Sequence, residues 1–189
     1  DADSRGAYLF EQFYQRLLIE VLANGVGREV ARRLAAEGAH VIVHGRNVER
    51  GAALVAEIEE GGKGSARLYT ADLGSFDEVR ALARAINRDY SRLDVLVNNA
   101  GIQHVAPVPE FPVEKWDAII AINMSSAFHT TAAALPMMRQ AGWGRIVNIA
   151  SAHGLRASPY KSAYVTAKHG VVGLTKVVGL ETAKEPITA

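Results

Sequence analysis

The sequence predicts an α/β chain in which helices cover both faces of a doubly wound parallel sheet, giving three layers. Three observations carry that expectation. From Gly25 onward, short apolar runs alternate with segments of helical period, the pattern of successive βαβ units. Runs such as His40-Val41-Ile42-Val43 are continuously apolar after their first residue, as strands buried on both faces are. The chain has 189 residues, 49% of them hydrophobic, enough to bury one core and too few to require a second domain.

The elements follow in order. Gly27 to Glu37 has helical spacing at Val30, Ala31 and Leu34, Gly38 breaks it, and the strand at 40–43 comes next. Arg50 to Glu60 is helical and closes at Gly61-Gly62. Arg67 to Thr70 is a strand. Ser75 to Tyr90 is a helix, with Ser75 as N-cap and Glu78 completing a capping box. Leu93 to Val97 forms a strand that ends in Asn98-Asn99-Ala100-Gly101. Pro112 to Arg139 is a long helical region punctuated at Asn123, and Arg145 to Ala150 is the last complete strand, with Ser151 just beyond it. Pro159 to Lys184 carries a helix rich in small residues. Gly170, Gly173 and Gly179 each cost about 1 kcal/mol against alanine, so close packing on the sheet or on another subunit has to hold it.

Residues 1–24 form an atypical segment of this single domain, which spans 1–189. Leu9, Phe13, Leu17 and Val21, with Phe10, Tyr14, Leu18 and Leu22 beside them, recur at helical spacing. A doubly wound sheet places its first strand at about Leu17 to Leu22. The two readings conflict, and the period favours the helix.

Composition narrows the function. The net charge is +1, so nothing in it points to nucleic acid or an anionic membrane surface, and a small molecule is the expected partner. With no cysteine there are no disulfides or thiolate metal sites, and the six histidines show no ligand spacing, so no metal site is expected. The longest apolar stretch, Ala118 to Met138, is interrupted by Asn123, Ser125, Ser126 and His129. The start, Asp1-Ala2-Asp3, lacks a basic leader. A soluble cytoplasmic protein is the expectation.

The chemistry-bearing residues cluster at predicted strand ends. Gly25 and Gly27 precede a helix whose first amides can face a pyrophosphate, with glycine permitting close approach. At the end of the second strand stands Gly45, where NAD-binding sheets often carry an acid. Arg46 follows, a candidate for a 2′-phosphate and a tilt toward NADP. A solvated arginine is the alternative. Asp72 is either an acceptor for the adenine amino group or a turn acid.

Tyr164-Val165-Thr166-Ala167-Lys168 puts Lys168 on the same helix face as Tyr164. An ammonium there favours the phenolate, making Tyr164 a usable proton donor to a carbonyl or acceptor from an alcohol. Ser151, thirteen residues upstream of Tyr164 at a strand end, can hold the same oxygen. Tyr-x-x-x-Lys alone discriminates poorly, but together with the serine at a strand end it is hard to explain as chance.

With these residues in view, the chain from Gly25 to its end resembles the short-chain dehydrogenase/reductase family, which implies a Rossmann-like fold and NAD or NADP as cofactor. Asn98-Asn99-Ala100-Gly101 matches the family turn beside the cofactor, with Asn99, Ala100 and Gly101 as cofactor-binding residues. The resemblance implies that Asn123 holds a water in the proton relay, that Ser151, Tyr164 and Lys168 complete the catalytic group, and that Tyr164 and Lys168 also contact the cofactor. Within the family, Gly101-Ile102-Gln103-His104-Val105-Ala106-Pro107 and Ile149-Ala150-Ser151-Ala152-His153-Gly154-Leu155 look most like 3-hydroxybutyrate dehydrogenases. That likeness implies that Gln103, His153 and Lys161 grip a substrate carboxylate. Each also has a structural reading, as loop residue, surface histidine and solvated charge respectively. A short 3-hydroxy or 3-oxo acid is the implied substrate, with 3-oxoacyl thioester reduction as runner-up. The family further implies a homo-oligomer, dimer or tetramer, built through helices around Met124–Arg139 and Tyr160–Lys184.

The pattern departs from the family in two places. Glu20 and Val21 stand where the family has a threonine and a glycine, which weakens phosphate binding. Ile187-Thr188-Ala189 matches the start of a further strand, after which the chain stops. The expectation is a sheet truncated at its C-terminus, without the lid, and either an enzyme with weakened positioning or a non-catalytic structural member.

Overall fold

The computed structural model describes residues 16–20, as backbone, and residues 25–189. In chain order the elements are β1 (Arg16–Glu20), α1 (Val26–Ala36), β2 (His40–His44), α2 (Val48–Glu60), β3 (Ser65–Tyr69), α3 (Phe76–Asp89) and β4 (Val95–Asn98). After these come α4 (Val113–Ile120), a π-helical turn (Ala121–Ser125), α5 (Ser126–Ala141), β5 (Gly144–Asn148), α6 (Ser162–Glu181) and β6 (Ile187–Thr188). The six strands lie in the order β3-β2-β1-β4-β5-β6, every adjacent pair parallel. This is the doubly wound arrangement the sequence predicts, with strand order reversing between β1 and β4.

The period-2 geometry of the strands divides the core. Ile42, Leu96 and Ile146 face α3, α5 and α6, packing with Leu82, Ile86, Met138 and Val178. Val41, Val43, Val95 and Val97 point to the other face and pack with Ala31, Leu54 and Ile58 of α1 and α2. With both faces covered, the central strands carry no polar alternation.

Helix caps explain where the boundaries fall. The side chain of Asn47 accepts from Arg50 N at 2.8 Å, so α2 starts two residues before the expected Arg50. Ser75 caps α3 by accepting from Glu78 N at 3.4 Å. The capping box is only half made, because Glu78 turns its carboxylate to Asp72 N at 2.7 Å instead. Helix α6 begins at Ser162 rather than Pro159, because Tyr160 has a φ of 67° and cannot belong to a right-handed helix.

The helical reading of residues 9–22 is corrected where the structure describes it. Arg16–Glu20 is a strand, pairing with β2 on one side and β4 on the other. The apolar run Leu17-Leu18-Ile19 within it satisfies a 3.6-residue period as readily as a buried strand, and partners distant in sequence decide the outcome. Residues 9–15, 21 and 22 of that reading lie outside the described residues.

The stretch Val113–Ala141 is long and apolar enough, by length and composition, to cross a membrane. In the fold, Ala134 and Met138 of this stretch belong to the core.

At the end of β2, His44 is buried, and its Nε2 lies 3.2 Å from Ala71 O. A neutral imidazole donates there. Burial lowers the His44 pKa from 6.5 to about 4, the hydrogen bond to Ala71 opposing the shift only in part. The unfolded chain therefore takes up a proton near pH 6.5 that the folded chain refuses until about pH 4. The stability tied to the neutral ring is complete above pH 6.5 and is lost as the pH falls toward 4. At pH 5 the loss is about 2 kcal/mol. Urea unfolding at about pH 7.5 and pH 5 should show this extra loss in the protein and not in His44→Gln, whose amide also donates. Equal losses in both proteins would clear His44 as the source.

Candidate active site

Four elements, β4, β5, α5 and α6, carry or lead to the predicted site residues Asn99, Ala100, Gly101, Asn123, Ser151, Tyr164 and Lys168. They are tied together by amides and hydroxyls, buried at Asn98 and Thr130 and half-buried at Asn148 and Thr175. Asn98, the last residue of β4, donates from Nδ2 to Asn148 Oδ1 of β5 at 2.7 Å and accepts at Oδ1 from Thr130 Oγ1 of α5 at 2.7 Å. Asn148 in turn donates to Thr175 Oγ1 of α6 at 2.9 Å. The line therefore runs from α5 through β4 and β5 to α6. Buried polar groups of this kind are tolerated because each has a partner, and such a network fixes one register.

The sequence reading took Asn99, Ala100 and Gly101 for the site and passed over Asn98, Thr130, Asn148 and Thr175. The available signal was a pair of asparagines closing two neighbouring strands, since a buried strand that ends in asparagine needs an internal partner.

Asn123 lies in the π turn and is buried. Its Oδ1 accepts from Ile102 N at 2.8 Å, and its Nδ2 donates to Ile102 O at 2.9 Å. One side chain therefore satisfies both backbone groups of Ile102, a residue flanked by Gly101 and Gln103. The wide turn that interrupts the helix sits at this bond, as π turns often do at functional positions. A Cβ on Gly101 would meet the Asn123 amide at 3.7–3.8 Å, ordinary contact distance, so packing alone does not demand glycine there.

Ser151 follows β5 and caps a short helical turn, its Oγ accepting from His153 N at 3.2 Å. With the oxygen engaged as acceptor, the hydroxyl proton can be donated elsewhere. Tyr164 and Lys168 occupy successive turns of α6. Lys168 is 4% exposed, and its Nζ donates to Ile149 O at 2.6 Å and stands 5.8 Å from the centroid of the Tyr164 ring. A buried ammonium is costly unless it is bonded, so the Ile149 carbonyl holds it in place.

His153 lies edge-on to Tyr164, with ring centroids 5.9 Å apart and planes at 83°. Its Nε2 is 3.4 Å from Nζ of Lys161, the residue at the N-cap of α6. The lysine can only donate, so Nε2 accepts and the ring proton resides on Nδ1. Ser151, His153, Lys161, Tyr164 and Lys168 thus form one contiguous group. Gln103 is exposed in the loop after β4, beside the pinned Ile102.

On the other side of the β1/β4 parting, Gly25 is the N-cap of α1 with a φ of 92°, and nothing lies within 4 Å of the place a Cβ would take. It offers no side-chain oxygen to the first amides of the helix, which leaves them for an anion. Gly27, the second residue of the helix, is buried. Arg46 and Asp72 face each other, Nη1 to Oδ2 3.7 Å, and Asp72 Oδ1 also accepts from Gly74 N at 2.9 Å. The bond from Gly74 N is that of a turn acid, and Asp72 also faces Arg46. Glu20 ends β1, and Val21 lies outside the described residues.

Replacing Asn123 by leucine keeps the volume and removes both bonds to Ile102. Unfolding free energy should fall by about 2–4 kcal/mol, the cost of leaving buried backbone groups unpaired. Chemical denaturation measures it, and a loss under about 0.5 kcal/mol would mean that Ile102 finds other partners.

Comparison with known proteins adds to this geometry. The chain is 51% identical over 173 residues to a D-beta-hydroxybutyrate dehydrogenase of Cupriavidus necator, covering 91% of this chain and 66% of that protein. It is 46% identical over 166 residues to a D-beta-hydroxybutyrate dehydrogenase of Rhizobium meliloti, covering 87% of this chain and 64% of that protein. The chain therefore spans somewhat less than two thirds of the length of these two relatives. Among solved structures, a metagenomic short-chain oxidoreductase in complex with NADP superposes with a TM-score of 0.88 at 32% identity, covering 92% of this chain and 78% of that one. The short chain dehydrogenase family profile matches residues 16–189, from the first residue of β1 to the last of the chain. On that match and those identities, the chain belongs to the short chain dehydrogenase family.

Proposed function

We propose that this protein is an NAD(P)-dependent oxidoreductase that interconverts a short 3-hydroxy acid, such as 3-hydroxybutyrate, with its 3-oxo acid. The observation that carries the reading is the contiguity of two sets. Ser151, Tyr164 and Lys168 can manage a proton at a carbonyl or alcohol oxygen. Through its contact with Tyr164, His153 joins Lys161 to them, giving that oxygen a cationic neighbour suited to a carboxylate.

The described residues fit a dinucleotide. The open N-terminus of α1 at Gly25 and Gly27 suits its pyrophosphate, and Arg46 and Asp72 flank the adenosine end. Asn99, Ala100 and Gly101, which follow β4, would contact the nicotinamide half, and Tyr164 and Lys168 would contact it from α6. When bound, the dinucleotide supplies the hydride donor or acceptor. Ser151 donates a hydrogen bond to the reacting oxygen and orients it. Tyr164 gives that oxygen its proton, or takes it in the reverse direction. The Lys168 ammonium favours the charge left on the phenol oxygen, and Asn123, fixed by Ile102, holds the water that passes the proton outward from Lys168. Gln103, His153 and Lys161 hold the carboxylate, which fixes the distance to the reacting carbon.

Reduction of a 3-oxoacyl thioester is the alternative. It is less favoured by Lys161, since a thioester offers no charge for the ammonium to pair with. Acetoacetate-dependent oxidation of NADH or NADPH by the purified protein is the test, and turnover of a 3-oxoacyl thioester in its place would overturn the substrate. Tyr164→Phe should lower kcat/KM by about 10²–10⁴-fold while leaving the melting temperature within a few degrees. Lys161→Met should act mainly on KM, raising it by about tenfold or more.

We also propose a homo-oligomer joined through α5 and α6. Gly170 is explained within the chain, since a Cβ there would sit 2.2 Å from Met124 Sδ, but Gly173 and Gly179 face no described neighbour. Phe128, Val177 and Leu180 are exposed on the same two helices, an apolar surface that a second copy would cover. Light scattering should give a dimer or tetramer, and Gly173→Arg should reduce it to monomer. A monomeric unaltered protein would refute this.

A further inference from the structure

Tyr160 has a φ of +67°, and among the described residues it alone adopts a positive value without being glycine. In that region the side chain crowds the following carbonyl, which is why glycine and asparagine usually occupy it. Proline followed by a left-handed residue is the order of a type II turn, and Tyr160 fills the slot glycine ordinarily takes. Such a conformation persists only where the surroundings fix it, and it concentrates near functional sites. The aromatic ring does not fix it. Tyr160 is 57% exposed, and among the described residues its phenol has no hydrogen-bond partner.

The turn acts through the backbone instead. Tyr160 O accepts from Ala106 N at 2.9 Å. Ala106 lies in the loop that carries Gln103, and Pro107 after it confines Ala106 to extended geometry. Tyr160 immediately precedes Lys161, whose carbonyl accepts from Val165 N at 2.9 Å as α6 begins. The bond therefore joins the loop holding one proposed carboxylate ligand to the turn holding another. Each segment also has a second anchor, through Asn123 on Ile102 and through His153 on the Lys161 side chain.

We propose that the left-handed turn at Tyr160 and its bond to Ala106 form a clasp that sets the separation of Gln103 from Lys161, and with it the length of acid the site accepts. Tyr160 is then a positioning residue that works through its main chain. This inference rests on the carboxylate reading above.

The test uses two substitutions with opposite backbone preferences. Tyr160→Gly adopts the same φ freely and should keep KM for acetoacetate within about twofold. Tyr160→Val, β-branched, resists that φ and should raise KM by about tenfold with kcat within about threefold. The preference for acetoacetate over 3-oxohexanoate, as a ratio of kcat/KM, should fall by about tenfold in the valine variant alone. Amide exchange at Ala106 should quicken in the valine variant and not in the glycine variant. If Tyr160→Val is too unstable to assay, Ala106→Pro removes the donor and should shift the same two quantities.

Equal losses in the glycine and valine variants would overturn the proposal in favour of a side-chain role. Faster exchange at Ala106 with KM and chain-length preference unchanged would overturn the clasp while leaving the proposed activity standing. Absence of acetoacetate turnover in the unaltered protein would instead overturn the carboxylate reading, and the clasp's purpose with it.

Discussion

The arrangement depends on a line of hydrogen bonds no longer than four side chains, from Thr130 through Asn98 and Asn148 to Thr175. It crosses two strands and reaches a helix at each end. Those four elements lead to, or carry, the 99–103 loop, Asn123, Ser151, Tyr164 and Lys168. Amides buried at a strand end cannot be left unpaired without a cost of about 1–3 kcal/mol each. A slip of one strand against the next would break several at once, so the apolar layers hold the sheet and the polar line fixes its register. The site inherits that precision, which backbone packing alone would not give.

A second principle recurs at the site: single side chains or single carbonyls secure whole loops. Asn123 satisfies both polar groups of Ile102. Ile149 O anchors the Lys168 ammonium, so the terminus of β5 positions a group on α6. Tyr160 O secures the loop after β4 from the opposite side. Two departures from regular geometry, the π turn at Asn123 and the left-handed tyrosine, each coincide with one of these attachments.

Much of this was legible in the sequence, and the reasons differ by element. Strands β2, β4 and β5 are short and apolar, bounded by glycine, asparagine or serine, so local pattern identifies them. Tyr164 and Lys168 are linked by helical spacing alone, so the local sequence suffices to pair them. Strand β1 was misread because its evidence is non-local: three consecutive apolar residues, Leu17 to Ile19, are compatible with either period, and its neighbours β2 and β4 decide. The Asn98 network escaped for a related reason. Asparagine at a strand end looks like a turn former until the partner strand is known to end in asparagine too. The Tyr160 turn was hidden because aromatic residues so seldom take that angle that no sequence rule assigns it.

The position of β1 bears on how the chain assembles. Leu17 pairs with Val41 on one side and with Val95 on the other. The first contact closes a short loop, whereas the second has to wait for two further helices and a strand to be synthesised and ordered, at a greater entropic cost. In that interval the growing half-sheet presents β1 as a bare edge, able to template pairing with another chain. Arrival of β4 both seals that edge and creates the crevice at the strand reversal, so the step that ends the hazard of aggregation is the one that builds the crevice in which dinucleotide binding is proposed.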